Sequence, residues 1–160
     1  MITEKDCYNY LEKLGIAYEK LTHEPVFTIE EAEAELPGRT EVKNLFIQDD
    51  KGKRQYLVLM PGHKQLDLKT LAGDLGEKKM RFVSAPKMQA MLGVEPGSVS
   101  LFCCLNESSN HVEIVIDKEL LDLPEIGFHP ITNAATVFME PSSFLRVIDN
   151  MQQQHRLAKL

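Results

Sequence analysis

An α/β domain is the fold class this chain predicts: a mixed, mostly antiparallel β-sheet, or a partly open barrel, flanked by helices. Three observations lead there. Helical and strand-like periodicities alternate along the chain, the pattern of sheet-and-helix folds. Two apolar-rich runs, Val42 to Gln48 and Gln55 to Met60, flank Asp49-Asp50-Lys51-Gly52-Lys53, which reads as a β-hairpin. Hairpins combined with single crossovers then favour a mixed sheet over a doubly wound parallel one. At 160 residues the chain suits one domain, residues 1–160, burying roughly 70% of the surface of its unfolded form.

The elements follow in order. Thr3 and Asp6 open a helix over residues 3–14, because Cys7, Tyr10, Leu11 and Leu14 share one face before Gly15. Ile16 to Leu21 alternates as a strand, and Thr28-x-x-Glu31 is a capping box for an acidic helix ending near Pro37-Gly38. This leaves Thr22, His23 and Pro25 on a loop. After the hairpin, which puts Lys43 near the start of its first strand, Asp67 caps a helix carrying Leu68, Leu71, Ala72 and Leu75. Arg81 to Ser84 reads as a short strand and Pro86 to Leu92 as a helix closed by Gly93. Val94 to Ser98 is a turn, Val112 to Ile116 a buried strand, and Asp117 the cap of a short helix through Leu121. Ala135 to Met139 forms the expected last strand. Pro141 starts a final helix with Phe144, Leu145, Ile148 and Met151 on its core face, and the polar tail Gln152-Gln153-Gln154-His155 is expected to fray.

Composition excludes several classes. With 43% hydrophobic and 26% charged residues the chain is ordinary globular material and not a disordered one. A net charge of −6 disfavours a general polyanion binder, whose affinity would come from many basic contacts to phosphates. Local recognition of one RNA end stays open. The basic clusters Lys51-Gly52-Lys53-Arg54 and Lys78-Lys79-Met80-Arg81 read first as solvated turns. Cys7, Cys103 and Cys104 are odd in number and lack C-x-x-C spacing, so neither a disulfide framework nor a zinc site is supported. No apolar run is long enough for a bilayer and the N-terminus lacks the order of a signal peptide; a soluble cytoplasmic protein without a membrane partner is expected.

No G-x-S-x-G, H-E-x-x-H, Walker or G-x-G-x-x-G motif occurs, so the chemistry rests on quieter residues. Lys43, leaving the sheet at a strand start, is a flexible cation suited to phosphate or carboxylate, or simply a surface lysine. His129, between Phe128 and Pro130, is poorly placed for helix or ladder and is either a structural hydrogen-bonder or a pocket residue. Asn133 can read a carbonyl or amine, or cap the turn before Ala134. Ser98, after Pro96-Gly97, can offer its N–H and hydroxyl to an anion or satisfy its own turn. Thr22 and His23 stand behind these.

Taken in order, Val42-Lys43-Asn44-Leu45-Phe46, Leu66-Asp67-Leu68-Lys69, Leu92-Gly93-Val94-Glu95-Pro96-Gly97-Ser98-Val99-Ser100, Ile116-Asp117 and Gly127-Phe128-His129-Pro130-x-x-Asn133-x-Ala135-Thr136 resemble the bacterial prolyl-tRNA editing domains. The G-F-H-P-x-x-N element is similar to that of the freestanding alanyl-tRNA(Pro) deacylase branch. The resemblance implies hydrolysis, in trans, of the ester joining a wrong amino acid to the tRNA(Pro) acceptor end, without metal or cofactor. It further implies transient contact with prolyl-tRNA synthetase, and a monomer is expected. It assigns Lys43 to the terminal-nucleotide phosphate. Gly127 to Asn133 becomes the loop beside the aminoacyl group, with His129 catalytic or orienting. Thr22, His23, Ser98, Gly127, Pro130 and Asn133 become substrate-binding. Two alternatives accompany this reading: a non-catalytic tRNA- or partner-binding module on the same fold, or a deacylase for serine or cysteine. The chain departs from the family where Pro-Phe-Gly is usual, having Leu101-Phe102-Cys103-Cys104; the substitution adds side chains near the expected pocket and opens its amino-acid preference.

Overall fold

Two sheets carry the fold in the computed structural model, which describes residues 2–160. In chain order the first elements are α1 (Glu4–Lys13), β1 (Glu19–Thr22), α2 (Ile29–Glu35), β2 (Val42–Asp49), β3 (Gln55–Pro61), α3 (Leu68–Leu75), β4 (Met80–Phe82) and α4 (Ala85–Leu92). After several 3₁₀ turns come β5 (Glu113–Asp117), β6 (Ile126–Phe128), β7 (Ala135–Met139), α5 (Pro141–Asp149) and β8 (His155–Ala158).

The larger sheet has the order β4-β2-β3-β5-β8, and the smaller the order β1-β7-β6. Four of the strand pairings are antiparallel, while β3–β5 and β5–β8 are parallel. The sheet is therefore mixed and mostly antiparallel, as expected, and the strands form two linked sheets in place of a closed barrel. The expected hairpin forms, its strands paired from Val42 opposite Pro61 to Gln48 opposite Gln55.

Period-two alternation sorts the large sheet into two buried faces. Phe46, Leu57, Leu59, Ile114 and Ile116 join the main core with Leu11 of α1 and Phe144 and Ile148 of α5. Ile47, Tyr56, Val58 and Val115 point the other way, onto Leu71 and Ala72 of α3. Burial on both faces explains why β3 reads as a continuous apolar run.

The expected helix starts are realised in their hydrogen bonds. Thr3 and Asp6 complete a reciprocal capping box, and Asp67 Oδ1 accepts from Lys69 and Thr70; of the box expected at Thr28 only one half forms, Thr28 Oγ1 accepting from the Glu31 N–H at 3.1 Å while the Glu31 carboxylate takes the Phe27 N–H at 2.8 Å. Asp117 likewise caps the turn Lys118–Asp122, which is 3₁₀ and not α.

Three expectations change. Thr22 is the last residue of β1 and not part of a loop, since it pairs with Ala135. The Gly127 segment holds a strand, β6, paired to β7. The polar tail does not fray: His155–Ala158 adds a parallel edge strand to β5. Gln153 anchors it, its amide nitrogen donating to the Cys104 and Ser109 carbonyls at 2.8 and 3.1 Å. The divergent segment Leu101–Leu105 forms a 3₁₀ turn whose first four side chains are buried, so the additions in place of Pro-Phe-Gly pack into the core. Among the described residues no helix is long and apolar enough to cross a membrane.

All three thiols are buried. Burial pushes Cys7 up to about 12, with Cys103 nearby adding to the effect, and pushes Cys103 up to about 11; Cys104 is raised too. At pH 8 a thiol titrating near 11 is thiolate in only about one molecule in a thousand. A disulfide reagent such as Ellman's should therefore label the native protein negligibly within minutes and label all three cysteines in guanidinium; a rapidly reacting native thiol would contradict this packing.

Candidate active site

A cavity of about 160 Å³ opens where the two sheets meet. Its wall combines the end of β1, the start of β2, the start of β7, the turn 97–99, the loop 129–133 and the approach to α2. The cavity is smaller than the roughly 300–1,000 Å³ pockets that enclose whole ligands. It can take a small group while the bulk of a larger molecule stays outside.

Backbone contacts fix the junction. The Gly127 N–H donates to the Thr40 carbonyl at 3.0 Å, and Gly127 makes a parallel bridge with Glu41. Phe138 lies over Gly127 so closely that an added Cβ would sit 2.6 Å from its Cε1. On the ring's other partner, Arg39 places its guanidinium carbon 3.7 Å from the ring centroid while pairing with Glu19 at 2.6 Å and Glu125 at 2.7 Å. Position 127 must lack a side chain because aromatic packing, not ligand contact, occupies that space.

The loop after β6 is strained and over-determined. Ile131 has φ 62°, an unusual value for a β-branched residue that costs about 1–3 kcal/mol. Several bonds hold it: Ser100 Oγ donates to the His129 carbonyl at 2.7 Å, the Val26 N–H to the Asn133 carbonyl at 2.9 Å, and the His23 N–H to the Ala134 carbonyl at 3.0 Å. Thr132 Oγ1 accepts from the Ala134 N–H at 3.2 Å. Thr132 thus performs the turn-capping that the sequence allowed for Asn133. Among the described residues the Asn133 side-chain amide has no protein partner, and Asn133 lines the cavity.

Lys43, one residue into β2, reaches the same wall. Its ammonium donates to the Lys64 carbonyl, and among the described residues no carboxylate comes within 4.0 Å of it. Lys64 is itself held through its own ammonium, at 2.8 Å from buried Asp117 and 3.0 Å from Glu119. The Lys43 charge is left for an anion. His129 is half-buried, with Nδ1 sealed from solvent and without a protein hydrogen-bond partner. Burial lowers its pKa, the Val99 backbone carbonyl, as an acceptor for the ring N–H, opposing the shift only in part; the ring is neutral at neutral pH. A buried nitrogen left unpaired costs about 1–3 kcal/mol, so a donor or acceptor arriving in the cavity gains from meeting it.

Of the sequence candidates, Lys43, His129, His23 and Asn133 share this cavity. Thr22 is exposed at the strand end, Gly127 lies under Phe138, Pro130 is buried behind the loop, and the Ser98 N–H closes its own turn onto the Glu95 carbonyl at 2.9 Å. Gly97 and Val99 stand in the wall on either side of Ser98. The residues that sequence reasoning missed are Glu41, Asn44 and Thr136. Asn44 ties the wall to the divergent segment, its Oδ1 accepting from the Leu101 N–H at 3.1 Å. Its adjacency to Lys43, and that of Thr136 to Ala135 in the last recognised string, were the available signals.

Residues 23–147 match the family described as aminoacyl-tRNA editing domain. The chain is 37% identical over 140 residues to the prolyl-tRNA editing protein ProX of Acetoanaerobium sticklandii, covering 86% of this chain and 85% of that one. It is 35% identical over 144 residues to the prolyl-tRNA synthetase associated domain-containing protein 1 of Mus musculus, covering 84% and 83%. A crystal structure provisionally described as a trans-editing enzyme for prolyl-tRNA synthetase superposes with a TM-score of 0.77 at 21% identity over 98% of this chain and 95% of that one, a likeness of fold.

Two outcomes test this geometry. Gly127→Ala should lower the unfolding free energy by about 1–3 kcal/mol through overpacking against Phe138, read from a denaturant melt. In an NMR titration the His129 ring should have its midpoint below the ordinary 6.5. The unfolded ring then binds its proton more tightly than the folded one, so its contribution to stability is complete above about pH 6.5 and declines as pH falls toward the folded value.

Proposed function

The chain belongs to the aminoacyl-tRNA editing domain family, and from that membership we propose that it is an aminoacyl-tRNA hydrolase that clears mischarged Ala-tRNA(Pro) in trans. The observation that carries the reading is the Lys43 ammonium, which meets the Lys64 carbonyl but no carboxylate among the described residues, on the wall of a cavity of about 160 Å³ that also holds neutral His129 and the free amide of Asn133.

An aminoacyl ester is already activated, so its hydrolysis needs mainly a placed water and a clamp for the substrate. Lys43 binds the phosphate of the terminal nucleotide and so sets the ester at the cavity. His129 and Asn133 orient the aminoacyl group and the attacking water, the neutral imidazole accepting a hydrogen bond that a protonated ring could not. The ribose hydroxyl beside the ester shares in moving the proton. Val42, Val99 and Ala135 line the apolar part of the wall and suit a small side chain. Excluding the larger proline by shape supplies a discrimination that binding alone, at about 1–3 kcal/mol per methylene, gives poorly in the opposite direction. The acceptor end of tRNA(Pro) is the partner this site fits, with release from prolyl-tRNA synthetase preceding capture.

Release of amino acid from alanyl-, seryl-, cysteinyl- and prolyl-tRNA(Pro) tests the reading. Alanine should be lost fastest and proline spared. Lys43→Ala should lower kcat/KM at least about tenfold, since a charge-assisted hydrogen bond is worth about 1.5–3 kcal/mol, with an unchanged melting curve. Preferential loss of serine or cysteine would move the substrate; stability of all four esters would make the protein a binding module.

A further inference from the structure

The strongest unassigned feature is a hydrogen-bonded chain in the cavity wall. His23 Nδ1 lies 2.8 Å from the Glu24 carbonyl, and His23 Nε2 lies 2.8 Å from Thr136 Oγ1. Thr136 Oγ1 in turn lies 2.6 Å from Glu41 Oε1. His23, Thr136 and Glu41 come from β1's end, β7 and the residue before β2, and all three line the cavity.

The three contacts together limit where protons can sit. The Glu24 carbonyl only accepts, so Nδ1 carries a proton. The two remaining contacts, Nε2 to Oγ1 and Oγ1 to Oε1, need a proton each, and the threonine hydroxyl has only one. A neutral imidazole, a hydroxyl and an ionised carboxylate together hold one proton too few for the three bonds. All three contacts are hydrogen bonds at once only with one further proton, either on Nε2, so that His23 donates to Thr136 while Thr136 donates to Glu41, or on Glu41 with the middle bond reversed. In either form the triad would hold one proton more than a neutral ring and an ionised carboxylate carry.

We propose that His23, Thr136 and Glu41 are a proton relay for ester hydrolysis, a role that rests on the deacylase reading above. In the reaction the water oxygen bonds to the ester carbonyl carbon and the bond from that carbon to the ribose oxygen breaks. The ribose oxygen leaves as a hydroxyl and needs one proton, while the attacking water gives one up. The Thr136 hydroxyl turns to supply the first and is refilled by whichever neighbour, His23 or Glu41, holds the further proton. The relay then takes the proton that the water gives up, passed on by the ribose hydroxyl beside the ester, and ends each turnover unchanged. Lys43 and His129 face the same cavity, and Glu33, Arg39 and His63 surround Glu41 on the side of a neighbouring cavity of about 100 Å³; these charges set how firmly the stored proton is held.

The test begins with the wild-type protein and no substrate. Nitrogen-15 NMR of the His23 ring, with carbon-13 detection of the Glu41 carboxyl, should find the extra proton on one of the two at the pH of the deacylation assay. A singly protonated ring beside an ionised Glu41 overturns the proposal. In single-turnover hydrolysis of alanyl-tRNA(Pro), the wild-type rate should fall as rising pH strips that proton. Thr136→Val should lose at least tenfold in rate and flatten that fall, with Thr136→Ser, which keeps the hydroxyl, restoring both. A Thr136→Val protein that keeps the wild-type pH profile overturns the relay while leaving the deacylase reading intact. A stored proton found in a protein that hydrolyses none of the esters overturns the deacylase reading, and the relay's role with it.

Discussion

The packing of Phe138 is the constraint on which the rest of the structure depends. Its ring is contacted by the backbone of Gly127 and by the Arg39 guanidinium, and Arg39 is held in turn by Glu19 and Glu125. One aromatic side chain thus ties β1, β6, β7 and the entry to β2 into a single joint. The bridge from Gly127 to Glu41 follows from that close approach. It brings the small sheet against the beginning of β2, where Lys43 leaves the backbone. Without the joint the residues that line the cavity would belong to two unconnected sheets.

The chemistry at the joint needs no unusual group. A lysine without an acidic partner, a histidine kept neutral by burial and a strained loop held by its neighbours are each modest departures from ordinary packing. Their value lies in being fixed: the hydrogen bonds to His129, Asn133 and Ala134 hold Ile131 in a backbone conformation it would leave if free. The small cavity volume suits the division of labour proposed above, the reacting end of a substrate inside and its charged nucleotide on the surface.

Much of this was legible in the sequence, and the failures have physical causes. Caps and turns are local, so Thr3, Thr28 and Asp67 announced their helices, and residues 49–53 announced the hairpin. Lys43 and the His129 segment could be named because their neighbours restrict the backbone. The edge strand β8 was invisible: its pairing uses main-chain groups, three of its four side chains are exposed, and the buried anchor is a glutamine. Gly127 was readable as special but for the wrong partner, since only the fold brings Phe138 onto it. Glu41 and Thr136 lie 95 positions apart and neither is distinctive alone. Their meaning arises from a hydrogen bond that no local pattern encodes.

The parallel pairing of β5 with β8 carries a consequence for how the molecule is made. Between these neighbours in the sheet the chain runs through β6, β7 and α5, so closing the edge means closing a long loop whose entropy cost is offset only once that loop has acquired its own contacts. Assembly of the large sheet is thereby coupled to assembly of the small one. The edge ladder is also joined to the cavity wall through Lys64, whose ammonium donates to the Leu160 carbonyl at 2.8 Å while its own carbonyl accepts from Lys43.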